Sequence, residues 1–235
     1  MSIHDHKPHD AILFDLDGVL VDSRHAISQC LNHGLIELGL APEPVEVLHG
    51  WIGASLHDVF RELLSARGVA PELAPTAIAH YRERYTIVAP KETPSFEGIP
   101  EALEALATDH RLAVATSKPV EFAGPILESL GLDVHFEAIV GAPLAGTHHE
   151  DKTATVGRAL RVLGLEPPDC RAAMVGDRHF DMIAGRAHGL TTIGAVWGIG
   201  GAAELEKAGA DHLAATPSDL LQQVNKRGRG LQLSY

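Results

Sequence analysis

Short apolar runs that end in charged residues, hydroxyls or glycine recur along the chain, and they predict buried strands. The first run covers Ala11–Leu16. The later runs lie at 112–116, 138–141, 172–177, 191–196 and 212–215. Apolar residues between them recur at helical spacing and predict helices near 100–107, 119–130, 152–163, 180–187, 201–208 and 217–224. This alternation is typical of right-handed βαβ units, so we predict an α/β fold with a doubly wound parallel sheet.

The stretch from Arg24 to about Val88 interrupts the alternation, because it contains no convincing strand pattern. Its apolar residues recur at helical spacing after Ser23, a candidate N-cap, and again at about 55–66 and 71–85. We therefore interpret this stretch as a helical insertion that follows the first strand.

Residues 89–100 are rich in proline and turn formers, which predicts a linker that leads back to the sheet. The predicted organisation has three parts: a core domain of residues 10–22 and 90–224, a helical domain of residues 23–89, and flexible termini of residues 1–9 and 225–235. We expect the helical domain to open and close on hinges near Asp22–Ser23 and Pro90–Phe96.

Composition and charge narrow the classes of function. The net charge of −12 argues against nucleic acid and anionic membranes as partners, because both attract a basic surface. An anionic substrate would then need local positive charge from lysine, arginine or a metal. Cys30 and Cys170 are far apart and predict reduced thiols, and the polar start of the chain, with His4, His6 and His9, has no apolar leader. We expect a cytoplasmic protein whose early histidines lie in an unimportant terminus.

The first strand delivers two carboxylates, Asp15 and Asp17, followed by Gly18. Ligands bind at the carboxyl edge of an open parallel sheet, and alternate side chains of a strand point the same way. Two carboxylates at that edge need a cation, a shared proton, or separate roles as acid and nucleophile. A solvated turn explains one aspartate well and two poorly.

Three later segments place polar groups at strand ends or helix starts. Thr116 and Ser117 follow a strand and could hold a phosphate oxygen at a helix N-terminus, or simply cap that helix. Asp177 and Asp181 could bind Mg²⁺, for which carboxylate oxygens are suitable ligands, or could interact with a helix dipole. Lys152 opens a helix, where the dipole disfavours it, so either a nearby anion compensates or it is a solvated lysine.

The order Asp-x-Asp-Gly, Thr-Ser, Lys and Gly-Asp-x-x-x-Asp resembles the haloacid dehalogenase superfamily of phosphatases, with a helical cap after the first motif. The resemblance covers about residues 10 to 224. Further short segments are most similar to the phosphoglycolate phosphatase and 5′-nucleotidase-like branch: Thr116–Pro119, Gly176–Arg178, Gly198–Gly200, Glu204–Leu205 and Ala208–Asp211. His148 and His149, just before Lys152, are expected to be loop surface.

This resemblance implies a role for each matching residue. Asp15 would be the nucleophile that forms an aspartyl-phosphate, and Asp17 would protonate the leaving alcohol and later deprotonate water. Thr116 would hold a phosphoryl oxygen, with Gly18 and Ser117 amides nearby, and Lys152 would neutralise the nucleophile and the transferred group. Mg²⁺ would bind Asp15, the Asp17 carbonyl and Asp177, with Asp181 among these ligands or just behind them.

The sequence departs from many such phosphatases at Val19, where they carry threonine and some phosphomutases carry valine. A sugar phosphomutase is therefore the alternative within the family. Asp17 argues against a dehalogenase or a phosphonate-cleaving enzyme, since neither uses a carboxylate there. A phospho-accepting signalling domain is an alternative from another class, although such domains are about half this length.

Substrate selectivity is expected to come from the insertion, because the core motifs bind only the phosphoryl group. The candidate residues are Trp51, Gly53 and Ser55, although Ser55 could simply cap a helix. Arg61 and Arg84 are expected to be solvated. We predict a small phosphate monoester as substrate, such as phosphoglycolate or a nucleoside 5′-monophosphate, Mg²⁺ as cofactor, and a monomer or homodimer.

Overall fold

The structure is a computed structural model that describes residues 9–144, 151–166 and 171–226 of the 235-residue chain. Within them, six parallel strands form one sheet in the order β3-β2-β1-β4-β5-β6. The strands are β1 (Ala11–Phe14), β2 (Arg111–Pro119), β3 (Ala138–Ala142), β4 (Ala172–Gly176), β5 (Thr191–Ala195) and β6 (His212–Ala214). The predicted doubly wound parallel sheet is confirmed.

Helices connect the strands and fill the segment between β1 and β2. That segment contains α1 (Arg24–Glu37), α2 (Val45–His49), α3 (Leu56–Ser65) and α4 (Ala74–Glu92), which we call the helical insertion. The other helices are α5 (Ile99–Ala107), α6 (Val120–Ser129), α7 (Lys152–Val162), α8 (His179–Ala187), α9 (Gly201–Lys207) and α10 (Leu220–Gln223). Short 3₁₀ turns lie at Pro71–Leu73, Asp133–His135 and Pro217–Asp219.

The strand order reverses direction between β1 and β4, which lie side by side with Phe14 opposite Val175. In open α/β sheets, ligands bind outside the carboxyl ends of the strands at such a switch point. The topology therefore brings the residues that follow β1 and β4 to the ligand-binding edge of the sheet.

The central strand β1 is apolar on both faces, as expected of a buried parallel strand. Ile12 and Phe14 pack into one hydrophobic cluster, whereas Leu13 packs into another on the opposite face. The first cluster continues into the insertion, where it includes Leu31 and Phe60. The insertion and one face of the sheet thus share one continuous apolar core. The domain boundaries given above stay a prediction.

The two chain segments that enter and leave the insertion are hydrogen-bonded to each other. The Asp22 amide donates to the Pro94 carbonyl at 2.9 Å, and the Phe96 amide donates to the Leu20 carbonyl at 3.1 Å. These segments contain the predicted hinges. Ser23 occupies the N-cap position of α1, but its hydroxyl makes no capping hydrogen bond.

Several predicted boundaries were wrong. Strand β1 ends at Phe14 rather than two residues later, and α4 continues through Pro90 to Glu92, so the start of the predicted linker is helical. Pro90 lies in the last turn of α4, where the loss of one backbone donor interrupts little of the helix. Thr116 and Ser117 lie in an irregular extension of β2 rather than at a helix start, since α6 begins at Val120.

The expectation that His9 belongs to an unimportant terminus was also wrong. The ring is buried, with Nδ1 2.7 Å from the Val224 carbonyl oxygen and Nε2 2.8 Å from Thr191 Oγ1. Each ring nitrogen thus has a polar partner, one in β5 and one just after α10, and these contacts hold the side chain in place. Burial lowers the pKa of His9 below its ordinary value.

Other expectations concern the cysteines, two loop histidines and membrane spans. Cys30 is a buried free cysteine, and burial raises the pKa of its thiol to about 12. Cys170, His148 and His149 lie outside the described residues. Among the described helices, none combines the length and the apolar character that a membrane crossing requires.

Candidate active site

Six of the residues predicted in the core domain line one small cavity at the carboxyl edge of the sheet. It has a volume of about 60 Å³ and lies where β1, β2 and β4 end. These six residues are Asp15, Asp17, Thr116, Ser117, Asp177 and Asp181, and the predicted Gly53 of the insertion lines the cavity as well. Strand pairing explains this assembly, because the segments that follow neighbouring parallel strands meet at the same edge.

Lys152 lies next to this cavity at the first position of α7 and is buried. Its Nζ lies 2.7 Å from Asp15 Oδ1 and 2.8 Å from Asp181 Oδ1. Burial by itself would lower the pKa of Lys152, but the two carboxylates outweigh it and raise the pKa above its ordinary value. The lysine is therefore a fixed positive charge that two aspartates share.

The negative charge of three ionised carboxylates is larger than the single positive charge of Lys152. Asp15, Asp177 and Asp181 each offer an oxygen within 4.8 Å of the others. Burial raises the pKa of Asp177 to about 8, and the neighbouring Asp181 and Asp15 add to the effect. Burial likewise raises the pKa of Asp15 to about 6, although Lys152 opposes the shift. The site would be stabilised by a further cation.

The oxygen atoms of Asp177 identify where such a cation fits. Oδ2 accepts a hydrogen bond from the Ile199 amide at 2.7 Å, whereas Oδ1 is buried without a partner among the described residues. A buried carboxylate oxygen without a partner is costly. Together with an all-oxygen donor set, this suits Mg²⁺, which binds to hard oxygen ligands and retains waters.

Glycine allows Asp177 to approach the loop after β1. Gly18 has φ of +82°, and a Cβ there would lie 2.1 Å from Asp177 Oδ2. The Gly18 amide donates to the Val21 carbonyl at 3.0 Å. The loop itself thus satisfies this donor, and a phosphate-binding role for Gly18 stays a prediction.

Sequence reasoning missed Lys118 as a residue of the site. Its Nζ donates to Asp17 Oδ1 at 2.6 Å and to Tyr85 Oη at 2.5 Å, and the side chain is largely buried. A lysine next to Thr116 and Ser117 was a usable signal, because an acidic chain needs local positive charge to bind an anion. Tyr85 belongs to α4, so this contact also joins the insertion to the site.

Arg178 forms a second contact between the core and the insertion. Its Nε donates to Glu204 Oε1 at 2.9 Å, and its Nη1 donates to the Ile52 carbonyl at 3.0 Å. Burial would raise the pKa of Glu204, but hydrogen bonds from His179 and Arg178 lower it to about 2. A charged carboxylate therefore orients the arginine toward the loop before α3.

A larger cavity of about 350 Å³ lies between the insertion and the strand ends. Trp51, Gly53 and Ser55, the predicted selectivity residues, all line it. The Ser55 hydroxyl also accepts a hydrogen bond from the Asp58 amide at 3.4 Å and caps α3. Arg61 and Arg84 are exposed, as expected.

The chain is similar to known proteins over most of its length. The family model described as Haloacid dehalogenase-like hydrolase matches residues 12–195. A 5′-nucleotidase from Pseudomonas aeruginosa is 37% identical over 212 residues, which are 90% of this chain and 93% of that protein. A phosphoglycolate phosphatase from Aquifex aeolicus is 32% identical over 215 residues, which are 91% of this chain and 96% of that protein.

A solved structure is similar to this chain over most of its length. The structure of protein tyrosine kinase A from Mycobacterium tuberculosis has a TM-score of 0.74 and 34% identity, and the match covers 92% of this chain and 98% of that chain. The proteins thus share the fold, while their names describe different phosphate chemistry. Since the family model spans most of the chain and relatives match nearly end to end, the protein is an enzyme of the haloacid dehalogenase-like hydrolase family.

Proposed function

We propose that the protein is a Mg²⁺-dependent phosphatase that hydrolyses a small-molecule phosphate monoester through an aspartyl-phosphate on Asp15. The observation that carries this proposal is the set of half-buried Asp15 and buried Asp177 and Asp181 next to Lys152. A phosphoryl group brings negative charge to a site, and catalysis of its transfer consists mainly of positioning and charge stabilisation. The names of two relatives, a 5′-nucleotidase and a phosphoglycolate phosphatase, support the choice of reaction.

Asp15 acts as the nucleophile in this proposal. Its carboxylate attacks phosphorus, the bond from phosphorus to the alcohol oxygen breaks, and the phosphoryl group is held as an acyl phosphate. Lys152 stays charged and lies 2.7 Å from Asp15 Oδ1, so it orients the nucleophile and stabilises the charge of the transferred group. Thr116, which is buried beside the same cavity, offers its hydroxyl to a phosphoryl oxygen.

Asp17 moves the proton. It donates a proton to the leaving alkoxide, and it then takes a proton from the water that attacks the acyl phosphate, which releases phosphate and restores Asp15. Oδ1 of Asp17 accepts from Lys118, which leaves Oδ2 to carry the proton.

Mg²⁺ bound by Asp15 and Asp177, with Asp181 beside them, would neutralise charge on the phosphoryl oxygens. The unpartnered Asp177 Oδ1 is the feature of this chain that best fits such an ion. Val19 does not favour the phosphomutase alternative, because its side chain is fully buried in the hydrophobic core and cannot contact a substrate.

The direct test measures release of inorganic phosphate from p-nitrophenyl phosphate, phosphoglycolate and nucleoside 5′-monophosphates, with Mg²⁺ and with excess chelator. We expect Mg²⁺-dependent release that Asp15→Asn abolishes while circular dichroism shows an intact fold. Exposed Asp58, replaced as Asp58→Asn, is the matched control and should retain activity. Turnover by Asp15→Asn, or full activity in chelator, would contradict the proposal. Transfer of phosphate to a hexose phosphate or to tyrosine, with none released to water, would also contradict it.

A further inference from the structure

We propose that Arg82 selects the substrate by binding an acceptor group at the far end of a leaving alcohol whose middle is a flat, apolar ring. This inference rests on the proposed phosphatase function and specifies the class of alcohol. It concerns the cavity of about 350 Å³ between the insertion and the strand ends.

One face of α4 forms a wall of this cavity. The residues of α4 that line it are Pro75, Ile78, Tyr81, Arg82 and Tyr85. Their spacing of three or four residues, with one adjacent pair, places them on one side of the helix. The wall therefore presents a continuous surface to whatever occupies the cavity.

The contacts of Tyr85 give this wall a direction. Tyr85 Oη lies 2.5 Å from Lys118 Nζ, which in turn lies 2.6 Å from Asp17, so Tyr85 marks the end of the wall next to the reacting groups. Arg82 precedes Tyr85 by three residues, or about 4.5 Å along the helix axis. It therefore lies roughly one turn deeper into the insertion than the groups that bind the phosphoryl group.

Within the described ranges, the side chain of Arg82 has no hydrogen-bond or ion-pair partner. Its Nε is buried with no hydrogen bond, and no ion pair of its side chain occurs among the described residues. Such a buried donor is normally satisfied in a folded protein. Asp17 is the one acidic residue on the described lining of the cavity, and it is paired with Lys118. The charge of Arg82 is thus available to an acceptor or anion that enters with the substrate.

The rest of the lining favours an apolar ring between the two ends. Trp51, Tyr81 and Phe122 line the cavity together with several aliphatic residues. Tyr81 stacks on Tyr85 at 5.2 Å between ring centroids, and Phe122 meets Tyr85 edge to face at 5.5 Å. Aromatic and apolar walls of this kind favour a flat ring over a hydrated chain.

The size of the cavity argues against a two-carbon alcohol. A volume of about 350 Å³ equals on the order of ten water volumes, since one water occupies about 30 Å³ of the liquid. The glycolate part of phosphoglycolate would leave most of this apolar space filled with water and would not extend a helical turn beyond Tyr85. A ring that carries a carbonyl or carboxylate oxygen at its far side would fill it and reach Arg82.

The test uses two matched pairs of probes that differ only in a far-side carboxylate: benzyl and 4-carboxybenzyl phosphate, and 2-naphthylmethyl and 6-carboxy-2-naphthylmethyl phosphate. In at least one pair we expect the carboxylated substrate to be favoured by about tenfold or more in kcat/KM, because a charge-assisted hydrogen bond forms. Arg82→Met should bring that ratio close to one, and Arg82→Lys should restore part of it. Arg84→Met is the matched control on the exposed side of the same helix and should keep the wild-type ratio.

Binding provides a readout that does not depend on turnover. The corresponding phosphonates, which cannot be hydrolysed, should quench tryptophan fluorescence through Trp51. Within a pair, the carboxylated phosphonate should bind with the lower Kd, and Arg82→Met should bring the ratio of the two Kd values close to one. Equal affinities within both pairs, or a preference that survives Arg82→Met, would overturn the role of Arg82. That result would leave the proposed function intact if p-nitrophenyl phosphate is still hydrolysed. If the wild-type protein instead hydrolyses no phosphate ester but keeps the difference in Kd, the phosphatase function is refuted and the role of Arg82 in binding stands.

Discussion

Lys118 donates a hydrogen bond to Asp17 at 2.6 Å, and its ammonium also lies 2.5 Å from Tyr85 Oη. The contact joins an aspartate of the sheet edge to a tyrosine of the insertion. Lys118 is largely buried, so the interaction is shielded from solvent. The position of Asp17 therefore depends on how the insertion packs against the sheet edge.

We expect Lys118→Met to lower kcat for phosphate esters of alkyl alcohols by about tenfold or more, because Asp17 loses the charged partner that orients it. Tyr85→Phe removes a single hydroxyl and should have a smaller effect, of about two- to tenfold. Steady-state kinetics with separate kcat and KM values provide the measurement. The matched control is Lys91→Met, an exposed lysine near the end of α4. An unchanged kcat for Lys118→Met would show that Asp17 is oriented without it.

The role of Asp17 can be tested through the leaving group. Asp17→Asn should reduce hydrolysis of alkyl phosphates by about 10²-fold or more, because a poor leaving group needs a proton. The same variant should reduce hydrolysis of p-nitrophenyl phosphate much less, since the aryl oxide leaves without protonation. Equal losses on both substrates would contradict a role as general acid and point to a purely structural contact with Lys118.

The main elements and the acidic site were predictable from the sequence because both depend on local patterns. Apolar runs identified the sheet, and the polar residues at the ends of β1 and β4 then had to meet at one edge. Asp15 and Asp177 could be paired in this way without knowledge of any distance. Such reasoning uses only strand order and the direction of each strand.

Contacts of the insertion were not predictable in the same way. The pairing of Lys118 with Tyr85, and of Arg178 with the Ile52 carbonyl, depends on how α3 and α4 pack over the sheet. Helical spacing indicates which face of a helix is apolar, but not which core residue meets a polar group on it. The five-residue helix α2 was missed because a single turn leaves too few apolar positions to show a period.

The raised pKa values predict how pH affects metal-free stability. The pKa of Asp177 is raised to about 8 and that of Asp15 to about 6, mainly by burial, whereas aspartates of an unfolded chain have a pKa of about 3.9. At these two aspartates the folded protein binds more protons than the unfolded chain, so they make the free energy of unfolding fall as pH rises. The buried His9, whose pKa is lowered, acts in the opposite direction, but the two aspartates outweigh this single group. Lys152, whose pKa is raised, stays charged throughout and contributes no slope.

In chelator, we expect the free energy of unfolding to be lower at pH 8 than at pH 5 by at least about 1 kcal/mol. Mg²⁺ should reverse most of this loss at pH 8, because it binds the ionised carboxylates of the folded state. Thermal unfolding at the two pH values, with and without Mg²⁺, measures both effects. Asp177→Asn should flatten the pH dependence and weaken the response to Mg²⁺, while Asp58→Asn should change neither. Stability in chelator that rises from pH 5 to pH 8 would contradict this account.

The loop before α3 provides the last prediction, which concerns the ranking of substrates. Trp51 and Ser55 line the larger cavity, whereas the residues proposed to bind the phosphoryl group line the smaller one at the sheet edge. Trp51→Ala removes an aromatic wall, and Ser55→Asn enlarges the side chain while it keeps an acceptor to cap α3. Both changes should therefore alter the relative kcat/KM values of phosphoglycolate and nucleoside 5′-monophosphates by about threefold to tenfold. The rate with p-nitrophenyl phosphate should change less, because its good leaving group reduces the dependence on binding of the alcohol.

Arg61→Ala, on the exposed side of α3, is the control and should leave the ranking as it is in the wild-type enzyme. Thermal unfolding of each variant separates a change in substrate ranking from loss of the helix, since a broken cap lowers stability by about 1 kcal/mol and affects every substrate alike. A uniform loss of activity on all three substrates would assign Trp51 and Ser55 to the folding of the loop. An unchanged ranking with unchanged stability would instead locate selectivity on α4, where Arg82 faces the same cavity.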